Sequence, residues 1–246
     1  DEIYSYNLIN RVCKTASAFV YIADKNLEPF KNLNHFDAKK FHKIGNGLEK
    51  FPVNPIPRSA LNIPEKSFVC CEVSRAIPEK GWQAAIDAVT LANKKSSRRI
   101  DLILVGAGEM YDKLLGKVPD FVHLPGFKSN VRDYLATSDL GFLPSEFAGE
   151  SFPLLIIDSL FSGKPVVCSN LGESAEMLKS NSGDFAGIVF DLVDEKVPVE
   201  KLSEILLTLA NDEVEYKKIC SQVSSAAEKF LIDKVAEKYI EVYNAV

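Results

Sequence analysis

The sequence has 246 residues, of which 46% are hydrophobic and 26% are charged, and its formal net charge at neutral pH is −5. This balance is typical of a globular protein and provides no concentrated positive charge of the kind that binds nucleic acid. No apolar run approaches the ~18 residues that a helix needs to cross a bilayer, so the sequence offers no candidate for a membrane-spanning helix.

The first 46 residues predict only short elements. An amphipathic stretch ends near Lys14, and the apolar run at residues 16–22 predicts a buried strand. A short helix is expected at residues 26–33, and residues 42–47 have the pattern of a strand that runs into a turn.

From residue 67 onward, apolar strands alternate with helices. The predicted strands are residues 68–74, 100–105, 121–124, 140–143, 166–168 and 187–190. The predicted helices are residues 82–93, 109–115, 131–137, 153–162, 199–210, 213–230 and 232–243. Continuous apolar strands separated by helices predict an α/β fold, with a Rossmann-like parallel sheet covered by helices on both faces. Ligands of such sheets bind beyond the carboxyl ends of the strands.

Three charged residues follow predicted strand ends. Arg75 and Lys80 lie between the strand at residues 68–74 and its helix, and Glu150 follows the strand at residues 140–143. The carboxyl ends of parallel strands meet at one edge, so we expect the three side chains to converge. A guanidinium and an ammonium on one loop can bind two phosphate oxygens. The alternative is that these cations are only solvated, as charges on loops usually are.

The stretch from Ser145 to Val167 predicts a polar loop followed by an apolar helix. Pro153 has the position of a first helical residue, and Gly163 follows the expected end. Free N–H groups at a helix start favour an anion. Glu150 and Asp158 are eight positions apart, a little more than two turns at about 3.6 residues per turn, which predicts that both lie on one helix face. The alternative is a helix-start charge and a solvated acid with no ligand.

Several segments of the sequence together resemble one protein family. GESFPLLIIDSLFSGKPVV is similar to the E-x7-E segment of retaining glycosyltransferases with the GT-B fold, family 4 in particular, and RAIPEK resembles the diphosphate clamp of that family. IGNGLEKF and LIDKVAEKYIEVYNAV resemble its domain junction and closing helix. Two departures stand out. Asp158 is one methylene shorter than the usual Glu, and Pro153, where Gly is common, lacks an N–H donor.

The resemblance covers residues 42–246 and implies a domain organisation. Residues 47–228 would be the C-terminal, donor-binding domain of the GT-B fold. Residues 1–46 would be the remnant of the N-terminal, acceptor-side domain, and residues 229–246 the closing helix that packs back on that side. Because a Rossmann-like domain usually has ~100–200 residues, most of the acceptor-side domain is expected to be missing.

The resemblance also implies an activity, which is the retaining transfer of a hexose from a nucleoside-diphosphate sugar to a hydroxyl of a glycan or lipid-linked acceptor. Glu150 would orient the sugar and Asp158 would hold the ribose, while the cations would stabilise the departing diphosphate. No metal and no other cofactor are implied. The residues assigned to catalysis are Glu150, Arg75 and Lys80, and those assigned to donor binding are Gly149, Ser151, Phe152, Asp158 and Phe127.

Two glycine turns have weaker signals. Pro125-Gly-Phe127 resembles the family's turn near the nucleotide base, but Phe127 packed into the core is an equal alternative. Gly106-Ala-Gly108 follows a strand but lacks the third glycine of a dinucleotide fingerprint, so it predicts a tight turn. The five cysteines and three histidines lack the spacing of metal ligands or of a disulfide framework.

Two other functions stay open at this point. One is a catalytically silent nucleotide-sugar-binding or scaffolding module, and the other is an epimerase or phosphorylase on the same fold. The expected location is the cytoplasm, and the alternative is the cytoplasmic face of the inner membrane. The expected partners are a nucleotide sugar, an acceptor and a missing N-terminal domain or partner chain, without nucleic acid.

Overall fold

The computed structural model describes the backbone of residues 2–246 and the side chains of residues 7–246. The chain forms two compact units, one from residues up to Lys50 together with Lys229–Val246, and one from Phe51–Glu228. Within residues 2–246, no helix combines the length and the apolar character needed to cross a membrane.

The elements are numbered in chain order. The helices are α1 Glu2–Thr15, α2 Asp24–Lys31, α3 Trp82–Asn93, α4 Glu109–Leu114, α5 Val131–Thr137, α6 Leu154–Phe161, α7 Ser174–Leu178, α8 Val199–Asn211, α9 Glu213–Ala227 and α10 Ile232–Ala245. The strands are β1 Phe19–Tyr21, β2 Phe41–Lys43, β3 Phe68–Val73, β4 Ile100–Val105, β5 Val122–Gly126, β6 Leu140–Leu143, β7 Val166–Ser169 and β8 Gly187–Phe190. Short 3-10 turns occur at Ala38–Lys40, Arg58–Leu61, Pro78–Lys80 and Glu228–Phe230.

The smaller unit is built around a parallel pair of strands, β1 and β2. Phe19 of β1 stacks on Phe41 of β2 with 4.6 Å between ring centroids. Leu48 pairs with Leu231, which joins the two segments of this unit just before α10. Whether this unit is the remnant of an acceptor-side domain stays a prediction.

The larger unit contains a six-stranded parallel sheet in the order β5-β4-β3-β6-β7-β8. Every residue of β4, β6 and β7 is buried, as expected for strands that helices cover on both sides. Phe68, Trp82 and Phe142 are among the largest fully buried side chains. The predicted α/β fold with a parallel sheet is confirmed.

Most predicted elements lie where the pattern placed them. The strands at 100–105, 140–143 and 187–190 and the helices at 82–93 and 131–137 have the predicted bounds. Two elements differ from the prediction. A 3-10 turn at Glu228–Phe230 interrupts the predicted helix of residues 213–230, and the short helix α7 lies in a stretch for which no helix was predicted.

The strand order creates a crevice. The chain runs outward from β3 to β5 and then returns to place β6 against the other side of β3, where Cys70 pairs with Leu140. The loops that follow β3 and β6 therefore leave the same edge of the sheet as neighbours. Such a switch point is where open parallel sheets bind ligands.

Gly81 lets these two loops approach. Its φ is +80°, and an added Cβ would lie 1.8 Å from the carbonyl oxygen of Pro144, which follows β6. A side chain at this position would meet both a backbone penalty and a steric clash with rigid main chain.

We predict that Gly81→Ala lowers the free energy of unfolding by about 3 kcal/mol or more, measured by urea denaturation. The control is Gly116→Ala, because Gly116 has a similar φ of +72° with nothing within 4 Å of an added Cβ. It should show only the left-handed backbone penalty of about 1–2 kcal/mol. Equal losses in the two variants would contradict a close approach at Gly81.

Candidate functional site

Hydrogen bonds fasten the β3–α3 loop to the loop after β6. The carbonyl oxygen of Glu79 accepts a hydrogen bond from the backbone N–H of Glu146 at 2.7 Å and one from the Ser145 hydroxyl at 3.4 Å. Because Glu79 directly precedes Lys80, these contacts fix the height of the lysine above the sheet.

The ion pair between Lys80 and Glu150 lies at the centre of this crevice. Lys80 Nζ is 2.5 Å from Glu150 Oε2, and both side chains are only 11% exposed. The same carboxylate oxygen accepts a hydrogen bond from the Ser145 hydroxyl at 3.2 Å. Removing either charge would leave the other one poorly solvated, so the two residues depend on each other.

Arg75 joins this pair through an aromatic ring. The Phe147 ring centroid lies 4.9 Å from Lys80 Nζ and 5.6 Å from the Arg75 guanidinium carbon. Arg75 is exposed and forms no salt bridge within the described part of the chain. Gly149 lies close to the same ring, because an added Cβ there would be 2.5 Å from Phe147. The three predicted catalytic residues are therefore brought together, with one guanidinium left open to solvent.

The segment after Glu150 differs from the prediction. Glu150 closes a turn by donating its N–H to the carbonyl oxygen of Phe147 at 2.8 Å, and α6 begins only at Leu154, after the cap residue Pro153. Glu150 is thus outside the helix that carries Asp158, and the prediction that both acids share one helix face is wrong. Between them, the Ser151 carbonyl oxygen accepts the N–H of Glu173 at 2.9 Å, while Phe152 is partly buried.

Asp158 is paired with a residue that the sequence did not indicate. Arg132 Nε donates to Asp158 Oδ1 at 2.7 Å, and Arg132 is 5% exposed. Its guanidinium carbon lies 4.2 Å from the Phe51 ring centroid and 5.1 Å from that of Phe161. Burial raises the pKa of Asp158, and the hydrogen bond and charge of Arg132 oppose this effect. The sequence of α5 gave one indication, because Arg132 is a charged residue on the apolar side of this helix. The neighbouring sequence did not indicate which acid it would contact.

A cavity of about 200 Å³ lies between the loops that follow β3, β4 and β5. Its lining includes Ser74 and Arg75, the turn at Gly106 and Ala107, and Phe127. Phe127 is 74% exposed, so the alternative of a core position is wrong. Gly106 allows a close approach of backbones, because a Cβ there would lie 1.9 Å from the Ser74 carbonyl oxygen. The predicted tight turn is therefore what shapes this wall of the cavity.

Among the described side chains, those of residues 7–246, no group of three or more His, Cys, Asp or Glu has the arrangement of a metal site. All five cysteines are free thiols, and four of them are buried. The charged side chains described in the crevice are the Lys80–Glu150 pair, Arg75 and the Arg132–Asp158 pair.

The sequence matches the family model described as "Glycosyl transferases group 1" over residues 54–229. It is 25% identical over 237 residues to the poly(glycerol-phosphate) alpha-glucosyltransferase of Bacillus subtilis (strain 168), a match that covers 93% of this chain and 32% of the relative. It is also 26% identical to the UDP-Gal:alpha-D-GlcNAc-diphosphoundecaprenol alpha-1,3-galactosyltransferase of Escherichia coli, over 82% of this chain and 53% of the relative. The chain thus spans 32% of the length of the first relative and 53% of that of the second.

Among solved structures, Anabaena HepE in complex with UDP-glucose superposes with a TM-score of 0.79 at 22% identity, over 99% of this chain and 68% of that one. At this identity the likeness establishes the fold. The family match covers well over half of the chain and includes the whole crevice. The chain belongs to the glycosyl transferases group 1 family and has the GT-B fold.

Proposed function

We propose that this chain is the donor-binding part of a retaining glycosyltransferase that moves a hexose from a nucleoside-diphosphate sugar to an acceptor hydroxyl. The observation that carries the proposal is the Lys80–Glu150 pair, 2.5 Å apart at the switch point of the sheet, with Arg75 beside it. The names of two relatives, a glucosyltransferase and a galactosyltransferase, support a hexose as the transferred group. The UDP-glucose bound to HepE supports the donor class.

In this proposal Lys80 and Glu150, which contact each other in the free protein, form new contacts when the diphosphate binds. Lys80 has three N–H donors, one of which points to Glu150. A diphosphate that enters beside Arg75 would share the ammonium with Glu150 and bring its own negative charge. The Glu150 carboxylate would then accept hydrogen bonds from the sugar hydroxyls. The two cations would neutralise the departing diphosphate in a site that is partly closed to water, where such interactions are strongest. They make a metal ion unnecessary in this scheme.

The nucleoside would occupy the cavity of about 200 Å³. Phe127 offers an exposed ring at its mouth, and backbone groups of the neighbouring turns can bind the edge of a base. Asp158 would accept the ribose hydroxyls with Oδ2, because its Oδ1 is bonded to Arg132. Backbone N–H groups at Gly149, Ser151 and Phe152 would contribute to phosphate and sugar binding, although Pro153 adds no donor.

A second candidate is a nucleotide-sugar-binding module without turnover. The observation that favours it is that the Asp158 carboxylate is already engaged by a buried arginine. Both candidates predict nucleotide binding, and only the first predicts transfer by the whole protein. In the transferase the acceptor would be a glycan or a lipid-linked glycan reached from the cytoplasmic side of a membrane.

Substitution of Arg75 and Lys80 tests whether these cations bind the diphosphate. Arg75→Ala should weaken binding of a nucleoside diphosphate by about 1.5–3 kcal/mol, the range of a charge-assisted hydrogen bond, and leave binding of the nucleoside nearly unchanged. Lys80→Met should do the same, with thermal unfolding as a check because Glu150 loses its partner. Isothermal titration with UDP, GDP, ADP and the matching nucleosides measures both effects.

The matched control is Lys201→Ala, an exposed lysine on α8, which should change no affinity. Equal losses for nucleoside and nucleotide in the Arg75 and Lys80 variants would rule out a diphosphate clamp. Failure of every nucleotide to bind the parent chain would rule out the proposed function itself.

The second prediction concerns the ribose. Asp158→Ala should bring UDP and 2′-deoxy-UDP to a common, weaker affinity, because the acceptor of the ribose hydroxyls is gone. Asp112→Ala, an exposed acid on α4, serves as the control and should keep the parent preference. A preference for the ribose hydroxyl that survives in Asp158→Ala would show that this short side chain does not reach the sugar.

The third prediction concerns the chain alone. Transfer requires that donor and acceptor be held together with water excluded, and the chain spans only 32% of one glycosyltransferase relative. We expect the purified chain to bind a nucleoside diphosphate and to transfer no sugar until the missing acceptor-side half is supplied. Radiolabelled donor and a range of acceptors test this, and robust transfer by the 246-residue chain would contradict it.

A further inference from the structure

Glu72 is a buried acid near the carboxyl end of β3, close in sequence to the loop that carries Arg75 and Lys80, and the proposed function does not use it. It is the next-to-last residue of β3, it is fully buried, and in the sheet it pairs with the apolar Leu104 of β4. Its Oε1 accepts a hydrogen bond from the Ser74 hydroxyl at 2.8 Å. Within the described chain its Oε2 has no hydrogen-bond partner. A buried carboxyl oxygen without a partner is costly, and such a group needs an explanation.

A hydrogen-bond relay connects this acid to both ends of the loop with the two cations. The indole N–H of Trp82 donates to the Ser74 hydroxyl at 2.8 Å, and that hydroxyl donates to Glu72. Trp82 is fully buried at the first position of α3. Ser74 precedes Arg75, and Trp82 follows Lys80 by two positions. The relay therefore fixes the loop at its start and at its end.

The charges of the Lys80–Glu150 pair also act on Glu72. Burial raises its pKa to about 8, the hydrogen bond from Ser74 and the charge of Lys80 oppose this rise, and the charge of Glu150 adds to it. These are the charged groups that face it from the two neighbouring loops. Cys71 lies next to it on its own strand, and its thiol has a pKa raised by burial. At neutral pH Glu72 is therefore mostly a neutral acid, and it ionises in mildly alkaline solution.

We propose that Glu72 is a positioning residue that makes donor binding depend on its protonation. As a neutral acid it anchors Ser74 and leaves Lys80 to the ligand. As a carboxylate it attracts Lys80 downward and places a negative charge behind the diphosphate site. This inference rests on the proposed function, because it requires that Lys80 bind the diphosphate.

The direction of the linkage follows from the charges. A bound diphosphate is negative and lies near Glu72, so it favours the protonated acid. Binding near pH 8 must then be accompanied by proton uptake, and by reciprocity a rise in pH must weaken binding. A shift of one pKa unit between free and bound protein corresponds to a loss of about tenfold in affinity once Glu72 is ionised.

The test is the affinity for a nucleotide sugar between about pH 6.5 and about pH 9, a window around the pKa of Glu72. A nucleotide sugar is chosen because its esterified diphosphate does not titrate there. Parent protein should lose about tenfold in affinity across the window. Glu72→Gln, which keeps the shape and cannot ionise, should show a nearly constant affinity. Glu204→Gln, the same change at an exposed position of α8, should follow the parent curve.

Calorimetry in two buffers with different ionisation enthalpies adds a readout that a merely structural role would not change. Parent protein should take up protons on binding near pH 8, and Glu72→Gln should take up none. If Glu72→Gln keeps the parent pH profile and proton uptake, the inference is overturned while the proposed function stands. If the parent binds no nucleotide sugar at any pH, the proposed function fails and the inference fails with it.

Thermal unfolding checks whether the acid titrates in the folded protein. Its pKa is about 8 in the folded state against a reference value of 4.5, so the folded protein keeps a proton that the unfolded chain loses between these values. Stability contributed by Glu72 therefore falls as pH rises through this window. The gain in Tm from Glu72→Gln should grow between these two values and then become constant. A gain that does not vary with pH would contradict the inference.

Discussion

The pairing of Lys80 with Glu150 is the interaction on which the crevice depends. The two residues are 70 positions apart and meet because β3 and β6 are neighbours in a sheet whose connections reverse direction between them. Both side chains are largely removed from water, so each charge is stable only with the other. Gly81, whose Cα lies against Pro144, provides the close packing that keeps them in reach.

Two other buried groups accompany this pair. Arg132 and Asp158 form a second nearly buried ion pair that joins α5 to α6, and burial raises the pKa of Glu72 on β3. In the proposed function Lys80, Glu150 and Asp158 each have one partner in the protein and a second one in the nucleotide sugar. Binding would then exchange partners rather than bury new charge, which lowers the desolvation cost that a diphosphate would otherwise meet in a partly closed site. The protein would keep Lys80 paired with Glu150 before the ligand binds, while Arg75 stays exposed to solvent.

Sequence patterns predicted the sheet and the meeting of Arg75, Lys80 and Glu150, because buried strands give continuous apolar runs and parallel strands end at one edge. They failed where a side chain's partner lies far away in the sequence. Arg132 and Glu72 are charged residue types at buried positions, and only the fold reveals that Arg132 contacts Asp158 and that Glu72 is hydrogen-bonded to Ser74, which precedes Arg75. The predicted helix face shared by Glu150 and Asp158 was wrong because spacing describes a helix only where the chain is helical, and α6 starts four residues after Glu150.

In the proposed function the Lys80–Glu150 pair changes partners when a diphosphate binds. A crystal structure of this chain with a nucleotide sugar would reveal this exchange. We expect Lys80 Nζ at about 2.7–3.2 Å from a phosphate oxygen, the Arg75 guanidinium on the same diphosphate and the Glu150 carboxylate on hydroxyls of the sugar. A nucleotide bound elsewhere, with Lys80 still paired only with Glu150 and Arg75 still in solvent, would contradict it.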